Sequence, residues 1–220
     1  MKKNKLFLFI GIISVIATSC KTPMYVADPN PQIGVDFTEG KWLLNELDSP
    51  KNSNDKITYE AITFFKNNLQ ERFFYINDVR NLLITKKTPL NPNKIKLKEL
   101  KEGTGFDYFI NIVVKKNRSD LNAIGLYDTK YPGNGKNESE AFLEIYDLNL
   151  LQIIYTAHVI GTDKEDQPSA FDTKKSNKLI DNISFYKSSN KLMLGSLKKI
   201  LKDLKKKSIK NWAKYYNSHF

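Results

Sequence analysis

The side chains that most often carry out chemistry are scarce in this chain. It contains one cysteine, Cys20, and two histidines, His158 and His219, among 220 residues. Structural zinc sites take four N, S or O ligands and catalytic ones three, so two distant histidines and one thiol predict no metal site. His158 lies between Ala157 and Val159 in a strand-like segment, which predicts a half-exposed sheet residue. No serine lies in a nucleophile-elbow pattern that His158 could serve.

Two pairs of carboxylates raise the question of glycosidase chemistry, Glu138 with Glu140 and Glu144 with Asp147. A glycosidase places two carboxyl groups on either side of the scissile bond. However, the three glutamates share a parity opposite to that of the neighbouring apolar residues, which predicts solvent-facing strand positions. The sequence therefore predicts no catalytic residue, no cofactor and no enzymatic activity, with a glycan hydrolase kept as an alternative.

Cys20 stands at the end of an export signal. Three lysines within the first five residues precede an apolar run over residues 6–16, and the small residues Ala17, Thr18 and Ser19 follow. This is the pattern of a cleaved secretory signal, and it is shorter than the roughly 20 apolar residues of a membrane-spanning helix. A cysteine directly after the small residues resembles a bacterial lipoprotein signal, in which the thiol is acylated. We therefore expect a signal peptide over 1–19 and a membrane anchor on Cys20.

The residues after the cysteine bear on location. Residues 21–24 contain neither an Asp beside the cysteine nor an acidic cluster. In the bacterial lipoproteins that this segment resembles, such residues direct inner-membrane retention or surface export. We expect an outer-membrane protein that faces the periplasm. The Ser-Cys-Lys-Thr-Pro string and the abundance of Asn, Lys, Ile and Phe are similar to lipoproteins of Bacteroidota.

The net charge of +11 is concentrated at the two ends of the chain. The signal holds three lysines, residues 191–220 hold nine lysines and one acid, and residues 21–190 are neutral overall. A basic segment of an exported protein meets anionic lipid, lipopolysaccharide or an acidic partner rather than nucleic acid. Lys202, Lys206 and Trp212 are the partner-binding candidates of this segment, and a merely solvated helix face is the alternative.

A second candidate binding region is the polar loop predicted over residues 117–137. It carries Tyr127 and Tyr131, which could contact a protein or a glycan. Loops of this length are often functional, although a plain connection would account for it equally well.

The hydrophobic periodicity predicts the following elements. After an extended tether over 20–40 come a strand over 40–46, a helix over 55–72 capped by Asp55, a strand over 73–76 and a short helix with Leu82 and Leu83. A further helix is capped by Asn91, has Pro92 at its first position and is closed by Gly103 and Gly105. A strand over 106–116, a hairpin of strands 139–146 and 151–160, a short helix over 177–186 and a last helix that begins at Ser188 or Ser189 complete the order.

This order predicts an α/β (α+β) fold, a mixed sheet of about five strands with helices largely on one face. The strand over 106–116 is apolar on both faces, with Phe106 and Ile110 on one and Phe109 on the other, so we expect it in the middle of the sheet. The predicted domains are a signal peptide (1–19), the acylated cysteine and tether (20–40), one globular domain (41–206) and a basic, aromatic tail (207–220).

Three stretches carry a resemblance to known envelope proteins. They are the helix over 55–72 leading into residues 73–80, the junction from Leu97 to Gly105 into residues 106–110, and residues 140–147 with the hairpin strand that follows. They resemble the periplasmic lipoprotein group of the curli-assembly channel lipoprotein and the activator lipoprotein of penicillin-binding proteins. That resemblance implies a fold shared with the N-terminal domain of the Tol translocation protein, and it transfers no functional residue.

Taken together, these observations predict a lipid-anchored, non-enzymatic envelope protein that binds a periplasmic protein partner, as a scaffold or regulator of envelope assembly. Anchoring raises the effective concentration of domain and partner. A hydrolase or binding protein for envelope glycans is one alternative. A subunit of an oligomeric secretion ring is another, although the polar segment 117–137 lacks the alternating lipid-facing residues of a membrane hairpin.

Overall fold

The computed structural model describes residues 22–28, 35–80, 87–122, 124–126, 135–165 and 183–208. The strands within these ranges are β1 (Met24–Ala27), β2 (Trp42–Leu44), β3 (Phe73–Tyr75), β4 (Tyr108–Ser119), β5 (Ile124–Leu126), β6 (Lys136–Asp147), β7 (Gln152–Lys164) and β8 (Ile183–Phe185). The helices are α1 (Asn54–Leu69), α2 (Lys94–Thr104) and α3 (Ser189–Lys207).

In the part of the chain that the structure describes, six strands form one mixed sheet in the order β1-β7-β6-β4-β2-β3. The neighbours of β2 run parallel to it, whereas β4, β6, β7 and β1 pair antiparallel. The α/β class is confirmed, with one strand more than the five expected. β4 lies inside the sheet, as its apolar residues on both faces predict, and β6 and β7 form the predicted hairpin.

Helices α1 and α3 cover one face of the sheet. The buried residues of α1 recur at helical spacing. Those of α3 include Leu197, Ile200 and Leu204, which are fully buried. They pack against Ile110 of β4 and Leu143 of β6 in the main core. An apolar stripe of this width on a helix is stable only against another apolar surface, so these two helices fix the main core on this side.

The third helix packs on the other face, near one end of the sheet. Leu97 and Leu100 of α2 contact Leu43 and Phe109 in a second, smaller core. Phe106, expected on the same face as Ile110, belongs to this second core because it precedes β4 and is not bound by the alternation of the strand. With two helices on one face and one on the other, the prediction of helices largely on one face is confirmed.

Two helix caps differ from the predictions. Helix α2 begins after Asn93, whose side chain accepts a hydrogen bond from the Lys96 N–H at 2.9 Å, and not after Asn91. Ser53, rather than Asp55, occupies the cap position of α1. The predicted end of α2 is confirmed at Gly105, which adopts a left-handed conformation with φ of 70° that favours glycine.

Part of the segment expected as an irregular tether is folded. Met24–Ala27 forms the edge strand β1, paired antiparallel with β7. Val35 and Phe37 are buried in the main core, and the carbonyl of Phe37 accepts a hydrogen bond from Arg72 at 2.7 Å. Proline content and weak periodicity concealed β1, since a four-residue edge strand offers too few positions for alternation to show.

Two further predictions are corrected where the structure describes the chain. Within the expected loop 117–137, β4 continues to Ser119 and β5 pairs with β8 in a separate two-stranded sheet. Residues 183–185 are therefore a strand and not the end of a helix, because their backbone bonds to β5. Cys20, Tyr127, Tyr131 and Trp212 lie outside the described residues, as do Leu82 and Leu83 of the predicted short helix.

Within the described ranges, no helix combines the length and the apolarity that crossing a bilayer requires.

Candidate functional site

The face of the sheet opposite α1 and α3 carries a continuous row of side chains. The register aligns Val113 of β4 with Phe142 of β6, and Phe142 with His158 of β7. One step along the strands, Lys115 lies opposite Glu140. We call this surface, made of Lys115, Glu140, Phe142 and His158 together with Asp28 after β1, the open sheet face.

The centre of the open sheet face is a stack of planar and charged groups. The rings of Phe142 and His158 lie parallel within 3°, with their centroids 4.0 Å apart. The ammonium group of Lys115 also lies over the phenyl ring, 5.4 Å from its centroid, a distance at which cation–π attraction acts. The His158 ring and the Lys115 ammonium group therefore hold Phe142 in a preorganised ridge.

His158 is held between two carboxylates. Its Nδ1 lies 2.8 Å from Asp28 Oδ2, and its Nε2 lies 3.2 Å from Glu140 Oε2. The side chain is 23% exposed, which agrees with the half-exposed sheet position predicted for it. With both nitrogens facing carboxylates, neither is directed at a hydroxyl that it could activate. The arrangement braces β1 against β7 and β6, and a neutral imidazole can donate to only one of the two carboxylates at a time.

A groove of about 490 Å³ lies beside this ridge. Its lining residues combine an apolar floor with charged groups at the rim: Asp48, Lys87, Thr88, Pro89, Leu90, Val113 and Lys115. Lys87 and Asp48 form an ion pair at 2.7 Å on the rim. The groove therefore offers apolar contact together with the ammonium group of Lys115.

Two buried asparagines fix the wall of the groove. Asn111, 1% exposed, donates to the carbonyls of Thr88 at 3.1 Å and Pro89 at 2.9 Å. Asn45 donates to the same Thr88 carbonyl at 2.8 Å and to Asn111 Oδ1 at 3.0 Å. Since an unpaired carbonyl in a buried site is costly, these bonds hold residues 88–89 in one position.

The candidate glycosidase carboxylates each have a local partner. Glu138 pairs with Lys136 at 2.8 Å, and Asp147 accepts hydrogen bonds from two backbone N–H groups of the β6–β7 turn. Glu144 accepts a hydrogen bond from the Tyr146 hydroxyl, and burial, followed by this carboxylate, raises the pKa of Tyr146 well above its usual value. These contacts account for the carboxylates as structural groups of the hairpin.

The opposite side of the molecule presents the solvent-facing sides of α1 and α3, which we call the helical face. Lysines recur along α3 at intervals of three, four and seven residues, which places them on one stripe: Lys191, Lys198, Lys202, Lys205 and Lys206. The predicted candidates Lys202 and Lys206 lie one helical turn apart on this stripe, and both are exposed. Tyr59 of α1, 71% exposed, lies beside the stripe.

Among the described residues, Lys202 and Lys206 are the only sequence-predicted binding candidates that lie close together. The described ranges also contain no group of three or more His, Cys, Asp or Glu side chains placed to hold a metal ion. The open sheet face was not predicted from the sequence. Its one available signal was the polar parity of the strand residues around Glu140, which also describes an ordinary solvated sheet.

No family model and no curated protein matches this chain. Among solved structures, it resembles PelC, solved as a dodecamer from Paraburkholderia phytofirmans, with 10% identity, a TM-score of 0.37, and coverage of 80% of this chain and 95% of that one. It also resembles a lipoprotein from Neisseria meningitidis, with 10% identity, a TM-score of 0.39, and coverage of 60% and 88%.

A hypothetical protein from Chlamydia trachomatis gives 8% identity, a TM-score of 0.41, and coverage of 79% of this chain and 100% of that one. At these scores the likenesses assign neither a family nor an activity. A lipoprotein is thus among the structures that this chain resembles, while the resemblance to the curli-assembly group and to Bacteroidota stays a prediction.

Proposed function

We propose that this chain is a lipid-anchored, non-enzymatic envelope protein that binds a periplasmic protein partner through the open sheet face. The observation that carries the proposal is the groove beside the Lys115–Phe142–His158 stack. It lies on the side of the sheet that α1 and α3 leave uncovered, and buried hydrogen bonds fix its wall. Preorganised surfaces of this kind lower the ordering cost of association.

The anchor is supported by the start of the chain. An export signal ends at Ser19, and the only cysteine of the chain follows it directly. Each buried CH₂ of an acyl chain contributes about 0.8 kcal/mol, and stable attachment takes more than one chain. The lipoproteins that this signal resembles carry two or three chains on the cysteine. We place the protein on the outer membrane, facing the periplasm.

Binding is favoured over catalysis by the occupation of the reactive groups. Both ring nitrogens of His158 face carboxylates at hydrogen-bond distance. The carboxylates of Glu138 and Glu144 are engaged by Lys136 and Tyr146 respectively. A general acid or base needs a free site within hydrogen-bond reach of its substrate, and these contacts use that reach inside the protein.

The groove fits an extended protein segment that carries an apolar side chain next to an acidic one. Pro89, Leu90 and Val113 supply the apolar contact. Lys87 is paired with Asp48, so Lys115 supplies the positive charge at the rim, which complements a carboxylate of the partner and disfavours a basic segment. We regard the partner as a component of the machinery that builds or regulates the envelope.

Crosslinking in cells tests this proposal. A photo-crosslinking amino acid at position 87, on the groove rim, should capture one defined envelope protein. Leu90→Glu places a charge in the groove and should lower the capture about tenfold, equivalent to roughly 1.4 kcal/mol. Leu150→Glu is the matched control, since Leu150 is exposed in the β6–β7 turn away from the groove.

The charge of the partner is tested separately. Lys115→Glu should lower the capture as well, because it places like charges at the contact. Capture that is unchanged by both Leu90→Glu and Lys115→Glu, in variants present at wild-type levels in the membrane, would contradict the proposed docking site. Capture of glycan-bearing material in place of a protein would favour the glycan-directed alternative.

A further inference from the structure

We propose that the helical face lies flat on the anionic phospholipid surface of the membrane that holds the Cys20 anchor. This inference rests on the proposed acylation of Cys20 and adds an orientation to it. The membrane would contact the lysine stripe of α3 and Tyr59 of α1, and the open sheet face would point away from the bilayer. The charge of the stripe selects this face, and the short reach from Cys20 to β1 permits the contact.

The stripe is long, and α3 carries far more lysines than acids. Helix α3 has 19 residues with seven lysines and one acid, and at 1.5 Å per residue it is about 28 Å long. The acids that face the stripe include Asp203 on α3 itself, 3.8 Å from Lys199, and Glu60 on α1, 3.3 Å from Lys198. Asp55 of α1 lines a shallow depression with Lys191. Helix α1 has equal numbers of acidic and basic residues, so the helical face as a whole is strongly positive.

The anchor cannot be far from this face. Strand β1 begins at Met24, four positions after Cys20, and four extended residues span at most about 14 Å. The side chain of Tyr25 lies beneath α3, where an added Cβ at Gly195 would overlap its hydroxyl. The chain therefore reaches the sheet directly beside α3.

This distance restricts how the domain sits on a membrane. A helix with its side chains is about 10–12 Å across, so an anchor with a reach of about 14 Å can bring the outer side of α3 into the plane of the headgroups. The open sheet face lies on the other side of the sheet, with the whole layer of α1 and α3 between it and that plane. The segment after Cys20 is thus too short to lift the domain clear of the bilayer.

The chemistry of the helical face suits an anionic lipid surface. Each lysine close to such a surface strengthens attachment by about fivefold, an effect confined to roughly a Debye length of 8–10 Å. Tyr59 is 71% exposed and lines a shallow depression with Leu194 of α3. A tyrosine is well placed at the headgroup level, where its ring is buried and its hydroxyl stays hydrated.

Site-directed spin labelling of the acylated full chain tests the orientation. Cys20 is the only native cysteine and its thiol is blocked by the acyl group, so Lys202→Cys and Lys115→Cys each accept one nitroxide. In vesicles with roughly one-third anionic phospholipid, the label at 202 should be shielded from a water-soluble relaxation agent at least threefold more than the label at 115. The difference should shrink at about 0.5 M salt, where the Debye length is near 4 Å.

A charge-matched pair of variants supplies the second measurement. Lys198, Lys202 and Lys206 replaced together by Gln should abolish the shielding of a label at Tyr59→Cys. Gln at Lys94, Lys98 and Lys116, three exposed lysines outside the helical face, should leave it unchanged. Since both sets remove three charges, a common effect would indicate net charge alone and would overturn the proposal.

Flotation of the same samples separates this proposal from the anchor. A chain that does not float with vesicles would overturn the acylation and, with it, the orientation. A chain that floats but shows equal exposure at 202 and 115, or equal shielding in neutral vesicles, would overturn the orientation alone. A label at 202 that becomes shielded only after an acidic protein is added would assign the helical face to that protein.

Discussion

The helical face and the open sheet face are built from sequence in opposite ways. The stripe on the helical face comes from one helix, in which lysines recur every three, four or seven residues between Lys191 and Lys206. The open sheet face draws Asp28, Lys115, Glu140 and His158 from four separate segments. A surface made by one helix tolerates local change, whereas a surface made by strand register depends on every element that sets the register.

The same contrast distinguishes what the two faces can recognise. A stripe of lysines supplies charge without a fixed geometry, because each side chain has many rotamers and is strongly hydrated. The Phe142–His158 stack and the hydrogen-bonded wall of the groove have one arrangement. We therefore propose diffuse attachment to a lipid surface for the helical face, and selective contact with a protein for the open sheet face.

The largest effect is expected when the protein loses its proposed membrane anchor. Cys20→Ser should move the protein from the membrane fraction to the soluble fraction almost completely, since lysines alone give weak and salt-sensitive attachment. Fractionation at low and high salt, with metabolic labelling by a palmitate analogue, measures this. The matched control is Ser19→Ala, which should preserve labelling. Full membrane retention of Cys20→Ser at high salt would contradict the anchor.

The next effect concerns the core beneath the helical face. Leu201→Ala should lower the free energy of unfolding by about 2–5 kcal/mol, because the side chain is buried between α3 and the sheet. Urea denaturation measures the loss. Crosslinking capture from position 87 should stay near wild type at equal amounts of folded protein, since the wall of the groove has its own hydrogen bonds. Lower capture would show that the two faces are coupled.

The next prediction changes the wall of the groove and leaves the helical face intact. Asn111→Ala leaves the carbonyl of Pro89 without its donor and should cost about 1–3 kcal/mol in the free energy of unfolding. Capture from position 87 should fall, because residues 88–89 lose the hydrogen bonds from Asn111 that hold them in place. The lipid shielding of a label at position 202 should not change. Loss of shielding in this variant would break the assignment of separate roles to the two faces.

The smallest effect is expected at Asp107. This residue lies where α2 meets β4, outside both the helical face and the open sheet face. The Lys41 backbone N–H at 2.9 Å, followed by Lys101 and Asn149, holds the pKa of this carboxyl below its usual value. A depressed native pKa means that the stabilisation is present above the unfolded pKa near 4 and is lost as the pH falls through the native value.

Asp107→Asn should therefore cost about 1 kcal/mol at neutral pH, and the cost should vanish as the pH falls below the lowered pKa of the native carboxyl. Urea denaturation of both proteins across this pH range measures it. A cost that is independent of pH would mean that the carboxylate charge does not contribute.

Elements with a strong local pattern were predicted well. Helices α1 and α3, the central strand β4 and the β6–β7 hairpin are confirmed, because their apolar residues recur at a period that one burial face imposes. The short strands β1, β5 and β8 were not predicted. Each has three or four residues, and each exists because a distant strand supplies its hydrogen bonds.

The residues of the two candidate surfaces differ in the same way in how far the sequence predicts them. Lys202 and Lys206 were predicted from sequence because lysine spacing on a helix translates directly into a shared stripe. The partners of His158 were not, since Asp28 is 130 positions away along the chain and Glu140 is 18. Asn111, which positions the groove, is a polar residue among the apolar residues of β4, and Asn45 directly follows the apolar strand β2. That pattern indicates a buried polar group without naming its partner.

The expectation of an export signal before Cys20, the concentration of charge and the lysine stripe follow from the order of residues alone, because each depends on residues that are close together in the chain. The open sheet face, the groove and the position of β1 beside α3 follow from the pairing of β1, β4, β6 and β7. Strand register joins residues across long loops, and its energy comes from the whole core rather than from any local segment.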